Sequence, residues 1–224
     1  MELICRYFLY FIIYSFIGWS MEVICKLFEQ KKFINRGFLI GPICPIYGYG
    51  VLSIIILIGR ETKDILAVFL KAILVCSILE YFTSYFMEKL FKARWWDYSK
   101  RKYNINGRIC LETMIPFGVL GCLVVYIIHP LIVNLVNILN PTLIIIFAII
   151  LFIIYLVDNI ISFNVMNKIK LEIKRQTLDS TEIIRKKVLE WIDSNSALYK
   201  HIKNAYPKFK IYNNIKNKNP KSEE

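Results

Sequence analysis

The chain has 224 residues, of which 56% are hydrophobic and only 21% are charged, and its mean hydropathy is +0.47. Soluble domains are about 45–50% apolar and about 25% charged, so this composition excludes a soluble enzyme, a disordered protein and a secreted disulfide scaffold. The long apolar runs lie in residues 1–163, whereas residues 164–224 are polar and basic. We therefore expect a transmembrane domain in 1–163, followed by a basic cytoplasmic tail in 164–224.

Five apolar stretches are long enough to cross a membrane, because a bilayer core of about 30 Å needs about 20 helical residues. The second stretch begins with two prolines and three glycines within residues 41–50, which predicts a broken or partly re-entrant span. The predicted fold is an all-α membrane bundle of five transmembrane helices, at about residues 3–28, 41–59, 65–90, 112–137 and 141–163.

Lysine and arginine are distributed unevenly between the two sides of this bundle. Residues 26–36, residues 89–108 and the tail share one side and carry 25 of the 29 basic residues, whereas the opposite side carries three. Cytoplasmic loops collect lysine and arginine, so we expect the N-terminus outside and the C-terminus in the cytoplasm. The same rule accounts for the net charge of +12, and nucleic acid is not expected as a partner.

The tail contains one predicted amphipathic helix, which starts near residues 179–180. Ile184, Val188, Trp191 and Ile192 recur at helical spacing opposite a basic face. Such a helix either packs on its own protein or lies on anionic membrane lipid. The chain from Pro207 onward is rich in lysine and asparagine, which predicts disorder.

Acidic residues lie within the predicted spans, all toward the cytoplasmic side. Glu22, Glu80, Glu88 and Asp158 come late in spans that run inward, and Glu112 opens the fourth span on the same side. Charged groups inside a membrane are costly and usually functional. The acids thus indicate a substrate or ion site, although Glu22 and Glu80 could instead only hydrogen-bond neighbouring helices.

The two cytoplasmic loops contribute basic and aromatic residues near these acids. Tandem tryptophans at a membrane boundary often belong to the aromatic belt. Asp97 lies beside basic residues, so that Arg94 or Arg108 could pair with it or with Glu88 or Glu112. The candidate pathway residues are Glu22, Arg36, Glu80, Glu88, Arg94, Trp95, Trp96, Asp97, Arg108 and Glu112.

Motifs for nucleotide binding, hydrolysis and metal binding are missing from the sequence. It has no Gly-x-x-x-x-Gly-Lys-Ser/Thr, Gly-x-Ser-x-Gly or His-Glu-x-x-His motif. The six cysteines form no Cys-x-x-Cys pair, and the two histidines are far apart. We therefore expect no metal, no cofactor and no catalytic residue in this chain.

Several motifs together resemble one bacterial membrane family, the type IV ABC-transporter permeases of the CmpB kind. The resemblance covers about residues 3–160 and implies a multi-pass subunit of the plasma membrane that works with an ATPase on another chain. Thr113 and Met114 stand where the family usually has a small residue. The motifs are Gly18-Trp19 with Glu22, residues 35–48 (NRGFLIGPICPIYG), Leu79-Glu80-Tyr81, residues 94–99 (RWWDYS) and residues 106–111 (NGRICL).

These features leave three functions open. The first is a permease-like transport subunit, for which a homodimer is expected because five spans are few for a pathway. The second is an intramembrane lipid-modifying enzyme, with Glu80 or Asp97 as acid or base and Arg94 or Arg108 holding a phosphate. The third is an accessory or sensor protein whose basic tail binds the membrane surface.

Overall fold

The computed structural model describes residues 1–58, 64–91, 93–175, 181–206 and 210–211, and these residues are nearly all helical. Four two-residue strands complete the fold: β1 (Ala93–Arg94), β2 (Asn104–Ile105), β3 (Ile109–Cys110) and β4 (Lys210–Ile211). The helices are α1 (Glu2–Gln30), α2 (Pro45–Ile58), α3 (Ile65–Phe91), α4 (Leu111–Asn137), α5 (Pro141–Arg175), α6 (Thr181–Ser194) and α7 (Ala197–Ala205).

Among the described residues, four helices are long and apolar enough to cross a membrane, namely α1, α3, α4 and α5. They correspond to four of the five predicted spans. Helix α2 is apolar but has only 14 residues, which gives it a length of about 21 Å at 1.5 Å per residue. It is therefore shorter than the bilayer core.

Helices α1 and α2 pack closely because glycine allows their backbones to approach. A Cβ atom added at Gly48 would lie 2.3 Å from Oγ of Ser15, and one added at Gly18 would lie 2.2 Å from the Tyr47 ring. This contact brings the hydroxyl end of Tyr47 to Glu22 of α1. The close packing thus positions one of the predicted acids.

The segment between α1 and α2 is irregular and packs inside the bundle. The backbone N–H of Cys44 donates to the carbonyl oxygen of Ser15, halfway along α1, at 2.9 Å. Two further N–H groups, of Ile40 and Gly41, donate to the Asp158 carboxylate at 3.0 and 2.9 Å. Protein groups thus satisfy these three backbone donors, which is a condition for irregular backbone within a membrane.

The end of the bundle where α1 and α3 end and α4 begins is called the loop end here. Helices α6 and α7 pack there against α3 and α5, and Val188 and Ile192 of α6 are fully buried. This arrangement agrees with the interpretation in which the amphipathic helix packs on its own protein. The side chain of Ile184, part of the predicted stripe, lies outside the described residues.

The chain beyond α7 contains a strand where the sequence predicts disorder. Strand β4 pairs antiparallel with β1, so that Lys210 lies opposite Arg94 and Ile211 opposite Ala93. The other residues of the predicted disordered end, 207–209 and 212–224, lie outside the described residues. At least one short part of this end is therefore held against the loop end.

Candidate functional site

A cavity of about 1040 Å³ lies between α1, α2, α3 and α4 and opens at the loop end. Exposed polar residues surround its mouth, and apolar residues line its deeper part. An apolar cluster that includes Ile54, Val68 and Ala72 closes the opposite side. The residues at the mouth include Lys26, Glu29, Gln30, Lys100, Arg101 and Asn204.

Glu22 lies in this cavity and already has a cationic partner. Its Oε2 pairs with Nε of Arg36 at 3.3 Å, and its Oε1 accepts a hydrogen bond from the Tyr47 hydroxyl at 2.7 Å. Both partners come from the chain that follows α1, so local sequence places them near Glu22. The charge of this carboxylate is balanced within the protein.

Glu80 lies in the same cavity but is less completely paired. Its side chain is 8% exposed, and its Oε1 accepts a hydrogen bond from the Tyr98 hydroxyl at 3.3 Å. Burial raises the pKa of Tyr98 above its ordinary value, so this phenol keeps its proton and remains a donor. The other oxygen, Oε2, is buried and has no hydrogen-bond partner among the described residues.

A second cluster of charges stabilises the loop that follows α3. Glu88 accepts from Nε of Arg94 at 2.7 Å and pairs with Nη1 of Arg108 at 3.1 Å, and Arg94 also lies 3.5 Å from Asp97. Gly107 has a φ of 66°, and a Cβ atom there would lie 2.7 Å from the Asp97 carboxylate. Only glycine fits this turn without strain.

The comparisons with known proteins identify the family. One family profile, described as "Putative ABC-transporter type IV", matches residues 9–163. The chain belongs to this family. No curated protein and no solved structure matches it. The cavity and both charge clusters lie largely within the matched residues, as does every predicted site residue.

Six of the ten predicted residues of this ABC-transporter family member line the cavity, and four do not. Glu112 is 56% exposed and pairs at 2.8 Å with Arg101 of the cavity mouth. The other three that do not line the cavity, Glu88, Arg94 and Arg108, form the charge cluster of the loop after α3. The residues that line the cavity are Glu22, Arg36, Glu80, Trp95, Trp96 and Asp97.

The two tryptophans hold the loop in place over the cavity. Trp95 is 4% exposed and packs edge-on against Phe91 and Tyr206, with ring centroids 6.4 and 4.7 Å apart. Trp96 donates its indole N–H to the carbonyl oxygen of Arg108 at 3.1 Å. Both side chains therefore contact protein at the mouth of the cavity.

The end of α7 covers part of the mouth. The carbonyl oxygen of Ala205 accepts a hydrogen bond from Arg36, whose guanidinium lies 5.6 Å from the Tyr206 ring centroid. His201, also on α7, lies within hydrogen-bonding reach of the backbone of Gly37 and Leu39, and burial lowers the pKa of its imidazole. The tail thus contacts the irregular segment before α2.

Sequence reasoning missed four residues that shape this site. Asp158 was recognised as an acid in a span, but its role in binding the backbone before α2 was not. Tyr98 and Tyr206 carry no signal of such a role among the 14 tyrosines of the chain. Tyr47 lies in a Pro/Gly-rich segment, which indicates a fixed conformation but not the bond from Tyr47 to Glu22.

The arrangement favours ligand binding over phosphate chemistry. Arg94 and Arg108, the two residues expected to hold a phosphate, both pair with Glu88. Within the described residues, no group of three or more His, Cys, Asp or Glu side chains could hold a metal ion. The polar group best placed to meet a ligand is the carboxylate of Glu80.

Proposed function

We propose that this chain is the membrane subunit of an ABC-type transport complex and that the cavity is its substrate site. Family membership supports a membrane transport component. The main support for a substrate site is the cavity of about 1040 Å³, which is lined by Glu22 and Glu80 and opens at the loop end. Ligand sites in proteins are commonly cavities of about 300–1,000 Å³ with a few convergent polar groups.

The proposed topology has five spans in the plasma membrane, with the N-terminus outside and the loop end in the cytoplasm. In this arrangement the irregular segment up to Cys44 forms the cytoplasmic half of the second span, and α2 forms the outer half. The contact of Cys44 with Ser15, halfway along α1, supports this division. A reporter enzyme fused after residue 62 should be external, and one fused at residue 100 should be internal. An external reporter at residue 100 would contradict the topology.

The proposed complex also contains a separate ATPase and a second copy of this chain. The chain carries no nucleotide-binding loop, so ATP hydrolysis requires a partner. Five spans are few to enclose a transport pathway, and we therefore expect two copies of the chain to form a homodimer. Many large apolar side chains on α5 are exposed, among them Phe152 and Ile154, and this surface faces lipid or a second copy.

Purification from native membranes in mild detergent tests this function. We expect a tagged chain to recover an ATPase subunit in a fixed ratio and to raise its rate of ATP hydrolysis. Glu80→Gln should recover the same ATPase but change the response of hydrolysis to substrate. Glu190→Gln, at an exposed position on α6, is the matched control and should behave as wild type. Recovery of the chain alone, with no effect on ATP hydrolysis, would contradict the proposal.

A further inference from the structure

The charges around the cavity are balanced at every buried acid except Glu80. Glu22 pairs with Arg36, and the Glu88 and Asp97 carboxylates lie against Arg94 and Arg108. Among the described residues, Glu80 forms no ion pair, and the hydroxyl groups close to it, those of Tyr98 and Thr113, are neutral. An ionised carboxylate in this position needs a cation from outside the chain.

The position of Glu80 in the cavity wall places its carboxyl group next to any cation that binds there. Oε1 is held by Tyr98, whereas Oε2 is buried and has no hydrogen-bond partner among the described residues. The side chain lines the cavity. Helices α1 and α3 meet α2 and α4 around this point, so a ligand in the cavity reaches Glu80 without entering lipid.

The rest of the lining indicates what kind of cation fits. Beyond Glu80 the walls are apolar and suit a hydrocarbon or aromatic body. At the mouth, Trp95, Trp96 and Tyr98 present aromatic rings, which attract cations electrostatically. The apolar lining residues include Val51, Ile54, Leu79, Phe117, Leu120 and Val124.

We propose that the cavity binds an amphipathic organic cation, with its positive charge at Glu80 and its apolar body against α2, α3 and α4. The inference rests on the proposed function only in taking this cavity as the substrate site. A simple metal ion is a poorer fit, because it would need several further oxygen ligands near Glu80.

Equilibrium binding to the purified full-length chain in lipid nanodiscs tests the proposal. The probes are tetraphenylphosphonium and tetraphenylborate, which have nearly the same shape and opposite charge, and empty nanodiscs correct for partition into lipid. We expect saturable binding of the phosphonium to one site per chain and no saturable binding of the borate. Glu80→Gln should weaken phosphonium binding at least tenfold, whereas Glu190→Gln should leave it unchanged.

Three results would overturn the proposal: no saturable binding of the phosphonium, equal binding of both ions, or unchanged affinity in Glu80→Gln. If Glu80→Gln fails to fold, the comparison of the two ions on the wild-type chain decides. This assay needs no ATPase, so its outcome is independent of the purification test. If the chain recovers an ATPase but binds no cation, the proposed transport function stands and the proposed substrate class is wrong.

Discussion

The backbone N–H of Gly41 donates to Oδ2 of Asp158 at 2.9 Å, which joins the irregular segment before α2 to the middle of α5. The neighbouring N–H of Ile40 donates to Oδ1 of the same carboxylate at 3.0 Å. In a helix these two donors would bond to carbonyl groups four residues earlier. Asp158 replaces those acceptors, and it therefore allows a span to begin without helical backbone.

Replacing Asp158 should destabilise the bundle. Asp158→Leu leaves two N–H groups without their acceptors, and each unsatisfied donor costs about 1–3 kcal/mol. We expect a melting temperature in detergent several degrees below that of wild type, measured by scanning fluorimetry. Asn159→Leu is the control on the same helix, because among the described residues the Asn159 amide bonds to the preceding turn, at Tyr155. Equal melting of Asp158→Leu and wild type would contradict the role given to Asp158.

Glu88 should matter far more to stability than Glu112, although each carboxylate binds arginine. Glu88 is 20% exposed and holds two arginines that are each about 10% exposed or less, whereas Glu112 is 56% exposed. Removing one partner of a buried pair costs about 3 kcal/mol or more, and an exposed pair contributes less than about 1 kcal/mol.

The two variants Glu88→Gln and Glu112→Gln form a matched pair for this comparison. We expect denaturant unfolding, followed by tryptophan fluorescence, to give Glu88→Gln a free energy of unfolding well below that of wild type. The free energy of unfolding of Glu112→Gln should be close to that of wild type. Because Trp95 and Trp96 lie in the same loop, the emission of the folded Glu88→Gln protein should also shift to longer wavelength. If Glu88→Gln is as stable as Glu112→Gln, the ion pairs of Glu88 with Arg94 and Arg108 do not stabilise the loop after α3 as we expect.

Several parts of this fold could be predicted from the sequence, and the reasons are physical. The lengths of the apolar runs predicted the four long spans. The prolines and glycines of residues 41–50 predicted the irregular segment before α2. Span direction predicted Glu22 and Glu80 toward the same end of the bundle, and both line the cavity that opens at the loop end. These features depend on composition and on periodicity along one segment.

Other features depend on contacts between distant segments, which no periodicity encodes. The bond from Gly41 to Asp158 spans 117 residues. The apolar stripe of α6 predicts that one face of this helix is buried. It does not predict what covers that face, which includes Phe91 and the part of α5 that contains Ile169 and Ile173. The strand at Lys210–Ile211 was missed because its pairing with β1 involves backbone groups, whereas its composition is that of a disordered tail.

The docking of the tail should weaken at acidic pH. Burial lowers the pKa of His201 below its ordinary value of 6.5, despite the opposing effects of the Leu39 and Gly37 backbone and of Asp158. The undocked imidazole therefore takes up a proton first as the pH falls below 6.5, and the docked state loses stability from that point down to its own lower pKa. Above pH 6.5 both states are neutral, and docking is at its strongest.

The measurement for this prediction is the rate of tail cleavage by a protease between pH 7.5 and pH 5. We expect cleavage of wild type, relative to an unfolded tail peptide at the same pH, to rise as the pH falls. His201→Gln cannot be protonated and should show a flatter profile. Parallel profiles for the two proteins would assign the pH dependence to other groups.

In the proposed topology, the cavity of Glu22 and Glu80 opens to the cytoplasm. Cys76 lines the cavity one helical turn before Glu80, so a variant that keeps only this cysteine reports access. A cationic, membrane-impermeant thiol reagent applied to inside-out vesicles should label Cys76 at least tenfold faster than in right-side-out vesicles. A variant that keeps only Cys5, near the start of α1, should show the reverse. Labelling of Cys76 that is faster from the outside, or equally slow from both sides, would contradict the claim.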